Sequence, residues 1–137
     1  MPRGSWGKRI AAILFLVVFL QILRLFWGAF WPEQTFCNAG GPFGSALPFS
    51  LLLLSGALAF VFLGVQWHQG RETQGAGAWL LILSGGASNL GERLAYGCVT
   101  DYFHFIFFFN LADVFLTFGV AGLLWQWYDR RVTRHEI

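Results

Sequence analysis

A run of 22 residues from Ile10 to Trp31 most constrains the fold, because Arg24 is its only charged residue. As a helix it would rise about 33 Å, enough to cross a hydrocarbon core about 30 Å thick. It is too long for the apolar region of a cleaved signal peptide, which spans about 7–15 residues. We therefore predict an uncleaved membrane helix, in which Arg24 reaches the interface beside Trp27 and Trp31.

The composition indicates that lipid is the main solvent of this chain. Its residues are 56% hydrophobic, 19% aromatic and 12% charged, whereas a soluble domain carries about 25% charged residues. We predict an all-α membrane protein, a four-transmembrane-helix bundle that forms a single domain over residues 1–137. The predicted spans cover residues 10–31, 46–67, 77–93 and 109–128.

Basic residues determine the predicted orientation of the bundle. One side carries Arg3, Lys8, Arg9, Arg71, Arg130, Arg131 and Arg134. Only Arg24 and Arg93 lie toward the other side, so the positive-inside rule places both termini in the cytoplasm. The net charge of +2 is too small to indicate a nucleic-acid partner.

The segment Ser84–Asp113 contains polar and ionisable residues close to or inside the predicted hydrocarbon region. They are Asn89, Glu92, Arg93, Asp101, Asn110 and Asp113. Ionisable groups at membrane depth are costly, so they indicate function by default. Asn89 and Arg93 are four residues apart and therefore share one face of the third helix.

Four phenylalanines alternate with other residues between the two aspartates. They are Phe103, Phe105, Phe107 and Phe109. A period of two predicts an extended segment at the interface. With the fourth helix starting near Phe109, Asn110 and Asp113 lie in its first turn. A helix that began at Phe103 would carry Asp113 about 15 Å away from Asp101, so a dyad requires a break between them.

Two neighbouring carboxyl groups can hydrolyse a peptide if they share one proton. One then acts as the acid and the other as the base that activates water. The low dielectric near lipid increases the difference between the pKa values of the two carboxyl groups, because it disfavours ionisation of the second group. Asparagines can orient the pair, and Arg93 can neutralise its charge or pair with Glu92. In the structural alternative, Asp101 caps the fourth helix or faces water, and Asp113 pairs with Arg93.

Cys37 and Cys98 match no metal-ligand spacing, and we predict no metal site. Both fall in predicted outer-face segments, where an oxidising compartment would permit a disulfide. We favour the interpretation that they are unpaired thiols packed as small apolar groups. A disulfide is the alternative.

Three segments resemble the sequence motifs of one protein family, and they occur along the chain in the same order as in that family. The sequence NLGERLAYGCVTDY begins at Asn89, FNLAD begins at Phe109, and NAGGPFG begins at Asn38. They resemble the lipoprotein signal peptidases (signal peptidase II), with the patterns GNxxDRxxxGxVxDF, FNxAD and NxGxAF[GS]. The chain departs from these patterns at Glu92 (Asp in the family), Ser88 (Gly) and Pro42 (Ala). Its connection between the two aspartates is also shorter than usual.

The resemblance implies a multi-pass aspartyl endopeptidase of the bacterial cytoplasmic membrane with its site at the extracytoplasmic face. It would cut the signal peptide of a prolipoprotein before the diacylglyceryl-modified cysteine, with no cofactor, and globomycin would be its inhibitor. Asp101 and Asp113 would be catalytic. Supporting residues would be Asn38, Gly40, Asn89, Glu92, Arg93 and Asn110. A small extracytoplasmic β element would use the loop from Pro32 to Pro48 and the Phe-rich segment.

The expected partners are the lipidated substrate and membrane lipid, and the expected state is a monomer. Two other functions compete with this one. A non-catalytic relative would bind lipidated peptides without cutting them. A small bundle that conducts protons or ions would use the same residue types.

Overall fold

The computed structural model describes residues 4–40, 48–68 and 75–135. The helices are α1 (Gly4–Phe30), α2 (Phe49–His68), α3 (Ala76–Tyr96) and α4 (Leu111–His135), and a 3₁₀ turn covers Pro32–Gln34. The strands are β1 (Phe36–Asn38), β2 (Val99–Asp101), β3 (Phe103–His104) and β4 (Phe108–Phe109). The predicted start of the second span at residues 46–47, the turn around Pro42 and the loop containing Arg71 lie outside the described residues.

The helices extend beyond the predicted spans. α1 begins six residues before Ile10, α3 continues to Tyr96, and α4 runs from Leu111 to His135. The prediction followed hydropathy, but a helix satisfies its own backbone and can continue into polar surroundings. Gly97 follows α3 and caps it: its φ of 75° is left-handed, and its N–H donates to Arg93 O at 3.0 Å. Glycine adopts this conformation at little cost.

α3 lies at the centre of the fold and packs against α1, α2 and, most extensively, α4. Small residues on α3 permit this packing: Ser84 and Ser88 are buried, with 0% and 2% exposed. A Cβ atom on Gly85 would lie 2.6 Å from the carbonyl oxygen of Ala112. The backbones of α3 and α4 therefore approach as closely as small residues allow.

Gly85→Ala should destabilise the protein by about 1–3 kcal/mol, because the new methyl group meets backbone that cannot move aside easily. The matched control is Gly91→Ala on the same helix, where a Cβ would meet nothing within 4 Å. The control should be neutral or stabilising by up to about 1 kcal/mol. Thermal unfolding in detergent measures both, and equal unfolding temperatures for the two variants would contradict the close packing.

In the described part of the chain, two small antiparallel sheets form from the segments that connect α1 to α2 and α3 to α4. β1 pairs with β2 in the register Phe36↔Asp101, and β3 pairs with β4 in the register Phe103↔Phe109. The prediction of an extended Phe-rich segment is confirmed, as is the break between the two aspartates. The expected β element is present, but β1 pairs with β2 and the Phe-rich segment forms its own hairpin.

Within the described ranges, one stretch, Trp6–Phe30, is long and apolar enough to cross a membrane, and α2 contains a shorter apolar stretch, Gly56–Val65. Large apolar side chains point outward on several helices, including Phe15 (70% exposed), Phe62 (61%) and Trp125 (70%). Such surfaces favour lipid over water. The four-span arrangement and its orientation stay predictions.

Candidate active site

Asp101 is the last residue of β2, and only 2% of it is exposed. Asn38 pairs with Val99 in the sheet, so it lies diagonally across from Asp101. The Asn38 amide donates from Nδ2 to Asp101 Oδ2 at 3.1 Å. The Asn110 amide donates from Nδ2 to the other oxygen, Oδ1, at 3.2 Å. The carboxyl group is thus removed from water and held by two neutral donors.

Asp113 lies in the first turn of α4, where it and Asn110 cap the helix reciprocally. The Asp113 backbone N–H donates to Asn110 Oδ1 at 2.9 Å, and the Asn110 N–H donates to Asp113 Oδ2 at 3.1 Å. This is the capping-box arrangement, here with Asn and Asp as the two partners. Asn89 of α3 adds a bond from Nδ2 to Asp113 Oδ1 at 2.9 Å. The sequence NLAD therefore fixes both the helix start and the direction of this carboxyl group.

Asn110 connects the two aspartates. Its Nδ2 lies 3.2 Å from Asp101 Oδ1 and 3.2 Å from Asn89 Oδ1, while its backbone N–H binds Asp113. Asn110 itself is buried, with 2% exposed. The structure thus brings both aspartates to one amide cluster. The predicted alternative, in which Asp101 caps the fourth helix or faces water, is wrong. Asn110 caps α4 instead, and Asp101 is shielded from water.

Arg93 and Gly40 lie beside this cluster. Arg93 Nη1 donates to the Gly40 carbonyl oxygen at 3.2 Å, and the Gly40 N–H donates to Asn38 Oδ1 at 2.9 Å. Arg93 therefore holds the turn that carries Asn38. The predicted alternative in which Arg93 pairs with Asp113 does not fit these contacts, because the Asp113 oxygens accept from neutral amides.

Burial raises the pKa of Asp101 from 3.8 to about 6. The Asn38 hydrogen bond opposes this rise because it stabilises the carboxylate. The negative charges of Asp113 and Glu92 add to the rise, and the Arg93 charge reduces it. Asp101 therefore holds a proton at a pH where an ordinary carboxyl group has lost it.

Glu92 points toward α1 and β2. Its Oε2 accepts the Thr100 N–H at 2.8 Å, and its Oε1 accepts Gln21 Nε2 at 3.0 Å and lies 3.8 Å from Arg24 Nε. The predicted position of Arg24 at the membrane interface stays a prediction, but its side chain contacts other parts of the protein. Its guanidinium lies against α3, 4.8 Å from the centre of the Tyr96 ring, because Glu92 and Gln21 offer it partners.

Cys37 and Cys98 form a disulfide, with Cα atoms 5.6 Å apart. The favoured interpretation, two unpaired thiols, is therefore wrong. The pairing of β1 with β2 places Cys37 opposite Thr100, and Cys98 lies just before β2. The crosslink thus ties together the strands that carry Asn38 and Asp101.

Sequence reasoning missed three residues near the site. Gln21 and Arg24 are three residues apart on an apolar helix and therefore share one face of it. Two polar side chains on one face are a sequence signal for a polar contact with another helix. Tyr102 gave no such signal; its hydroxyl oxygen accepts the Leu111 N–H at 3.1 Å and so supports the start of α4. Among the residues that the structure describes, no group of three or more His, Cys, Asp and Glu side chains is placed to hold a metal ion.

Comparison with solved structures shows the same fold in bacterial membrane enzymes. One such enzyme superposes with a TM-score of 0.74 and 21% identity, over 90% of this chain and 88% of that one. A second gives a TM-score of 0.71 and 19% identity, over 86% of this chain and 90% of that one. At these identities the likeness concerns the fold.

Comparison with protein families gives a match of residues 16–128 to signal peptidase (SPase) II. The lipoprotein signal peptidase of Pelodictyon phaeoclathratiforme is 33% identical over 104 residues, which cover 64% of this chain and 62% of that protein. The one of Chlorobium phaeobacteroides is 32% identical over 122 residues, covering 76% of each. The chain thus spans about three fifths to three quarters of these two relatives. The family match covers most of its length, so this chain belongs to the signal peptidase II family.

Proposed function

We propose that this protein is an aspartyl endopeptidase that removes the signal peptide from prolipoproteins, cutting before the diacylglyceryl-modified cysteine. One observation carries the proposal: Asn110 contacts Asp101 and Asp113 at once and holds both carboxyl groups in one cluster, in which Asp101 and Asn110 are buried. Membership of the family supplies the substrate class. No cofactor enters the mechanism, because two carboxyl groups and a water are sufficient for peptide hydrolysis.

In this mechanism Asp101 is the acid, because burial favours its protonated form. Asp113 is the base and takes a proton from water as the water oxygen attacks the scissile carbonyl carbon. Asp101 donates its proton to the carbonyl oxygen, which gives a neutral tetrahedral diol. Asp113 then returns a proton to the leaving nitrogen as the C–N bond breaks, and Asp101 recovers the proton of the diol hydroxyl.

Three asparagines position the two aspartates without adding a charge next to them. Asn38, Asn89 and Asn110 donate amide hydrogen bonds to the aspartates. Arg93 fixes the Gly40 carbonyl and lowers the electrostatic cost of the ionised pair. Such preorganised donors need no rearrangement as charge develops.

We propose that the four helices cross the bacterial cytoplasmic membrane and form one domain with both termini inside. The outward-facing apolar side chains of α1, α2 and α4 support this. Arg130 and Arg131 lie at the far end of α4 from Asp113, as the positive-inside rule requires for a site at the extracytoplasmic face. The proposed partners are the lipidated substrate and membrane lipid, and the proposed state is a monomer.

The proposal is tested by cleavage of a diacylglyceryl-modified prolipoprotein by the purified protein in detergent. Unlipidated prolipoprotein is the substrate control, and the Asp101→Asn/Asp113→Asn double variant sets the background. The expected result is a product shortened by its signal peptide, with globomycin blocking its formation. No product above the background would refute the enzyme assignment.

The rate should fall as pH rises, because Asp101 must hold its proton in the resting enzyme. With a pKa of about 6, kcat/KM should decrease about tenfold per pH unit above that value, since kcat/KM reports the free enzyme. Bound substrate excludes more water and raises the pKa further, so the decrease in kcat should begin at higher pH. Initial rates from pH 5 to 9 measure both, and a kcat/KM that stays flat over that range would contradict Asp101 as the acid.

A further inference from the structure

A polar pair interrupts the apolar helix α1 and faces α3. Gln21 is partly buried, and the Arg24 side chain is only 15% exposed. Their neighbours Ile22 and Leu25 point outward, with 58% and 61% exposed. A charged side chain placed inward needs a partner that compensates for its lost solvation. The pair therefore has a defined contact on α3.

That contact is a connected set of hydrogen bonds ending on Glu92. Gln21 Nε2 donates to Ser88 Oγ at 2.9 Å and to Glu92 Oε1 at 3.0 Å. Gln21 Oε1 accepts Arg24 Nε at 2.9 Å, and this Nε lies 3.8 Å from Glu92 Oε1. Arg24 also donates from Nη2 to the Tyr96 hydroxyl at 3.4 Å. One carboxylate oxygen of Glu92 is thus held entirely by α1.

The other oxygen of Glu92 holds the strand that carries Asp101. Glu92 Oε2 accepts the backbone N–H of Thr100 at 2.8 Å, and the Thr100 carbonyl oxygen accepts Asn110 Nδ2 at 3.4 Å. β2 has three residues and, within the described parts of the chain, pairs with one strand, so its own ladder gives little stability. Glu92 is 5% exposed, and water competes little for these bonds.

We infer that Gln21 and Arg24 are positioning residues of the active site, which act through Glu92 to fix the Thr100 peptide and thereby the Asp101 carboxyl group. The inference rests on the proposed function for its kinetic part. Its structural part, the anchoring of the Thr100 amide, stands on the contacts alone.

The charges around Asp101 give this role a signature beyond stability. Asp113 faces it from α4, Glu92 and Arg93 face it from α3, and β1 contributes the neutral Asn38. Removal of the Glu92 charge with its length preserved should therefore lower the pKa of Asp101. A shorter side chain that keeps the negative charge at position 92 should instead displace the Asp101 carboxyl group.

The test compares Glu92→Asp, Glu92→Gln and Arg24→Gln in the full-length protein. The aspartate side chain in Glu92→Asp is one methylene shorter and cannot reach both Thr100 and Gln21. We therefore expect kcat to fall roughly 10–100-fold with little change in KM, because small misplacements of a catalytic group have effects of this size. Arg24→Gln should act in the same direction, with partial rescue in Arg24→Lys. Glu92→Gln should shift the decrease of kcat/KM to lower pH.

The matched control is Arg131→Gln, which removes a charge that lies over the Trp127 ring near the other end of α4. It should leave kcat, KM and the pH profile unchanged. Hydrogen–deuterium exchange of the Thr100 amide supplies a readout independent of catalysis. It should accelerate at least tenfold in Arg24→Gln and Glu92→Asp, and not in Arg131→Gln.

The outcomes separate the two proposals. If the wild-type protein is inactive but Arg24→Gln accelerates exchange of the Thr100 amide, the peptidase function is overturned and the anchoring role is supported. An active enzyme with unchanged kcat and unchanged Thr100 exchange in Arg24→Gln and Glu92→Asp would overturn the positioning role. Should Arg24→Gln fail to fold, Arg24→Lys and Glu92→Asp supply the same comparison.

Discussion

Asp101→Asn and Asp113→Asn should each reduce cleavage of a lipidated prolipoprotein on the order of 10³-fold or more, because each removes a group that transfers a proton. The loss should appear in kcat. Each variant keeps the size of the side chain and one of its acceptor oxygens. The measurement is multiple-turnover cleavage in detergent at saturating substrate, with product followed over hours.

Both variants should remain folded. In Asp101→Asn, the new amide places an N–H₂ group against one of the donors Asn38 or Asn110, at a cost of about 1–3 kcal/mol. An opposite effect partly offsets this at neutral pH. Because burial raises the pKa of Asp101 to about 6, its ionisation opposes folding, and the stability it contributes is lost as pH rises from about 4 to 6. An uncharged asparagine avoids that loss.

Asp113→Asn disturbs the reciprocal cap of α4, and capping interactions contribute about 0.5–2 kcal/mol. The control for both variants is Asp129→Asn, an exposed residue in the last turns of the same helix. It should keep full activity and unchanged thermal stability. Full activity in either dyad variant would contradict the mechanism, whatever the stability.

The same variants distinguish the competing functions. A non-catalytic relative would show no cleavage in the wild type and would keep its affinity for a lipidated peptide in both variants. A conducting bundle would show ion flux in liposomes that globomycin does not inhibit.

Reduction of the Cys37–Cys98 disulfide should lower both stability and activity. The bond closes a loop with a sequence separation of 61 residues, and such a crosslink contributes about 2–4 kcal/mol. It also joins two strands of three residues each, which position Asn38 against Asp101. We expect a lower unfolding temperature and a rate decreased roughly tenfold, because a loosened Asn38 no longer fixes the acid.

The measurement compares wild type with Cys37→Ser/Cys98→Ser, each with and without dithiothreitol. The wild type should change on reduction toward the behaviour of the double variant, and the double variant should not respond. An unfolding temperature and rate that are the same in all four samples would show that the crosslink does not contribute to the site.

The start of α4 could be predicted from the sequence because local interactions set it, although the reciprocal cap of Asn110 and Asp113 was not predicted. Asn110 and Asp113 are three residues apart, and such a pair at the end of an extended segment marks a helix start by its own hydrogen bonds. The alternation of Phe103 to Phe109 likewise predicted extended backbone, and the structure has a hairpin there. The helices could be predicted from apolar length, although the predictions were several residues short at the start of α1 and at the C-terminal ends of α3 and α4.

The contacts between side chains on different helices and strands could not be predicted from the sequence in the same way. Asn38 and Asp101 are 63 residues apart, and Gln21 and Glu92 are 71 apart. Whether such residues meet depends on the rotation and depth of each helix, which hydropathy does not determine. For that reason the sequence did not indicate that Arg24 contacts Glu92 and Tyr96 on α3.

By itself, the sequence determined which segments form helices, which stretch is extended, and where along the chain the ionisable groups occur. These properties follow from local backbone hydrogen bonding and from the cost of placing charge in an apolar medium. Only the tertiary structure decided that Asp101 is buried, that Asn110 lies between the two aspartates, that the cysteines join, and that α1 supports β2 through Glu92. Each of those outcomes requires segments distant in the chain to meet at hydrogen-bond or covalent distance, and only the packing of the helices around α3 brings them there.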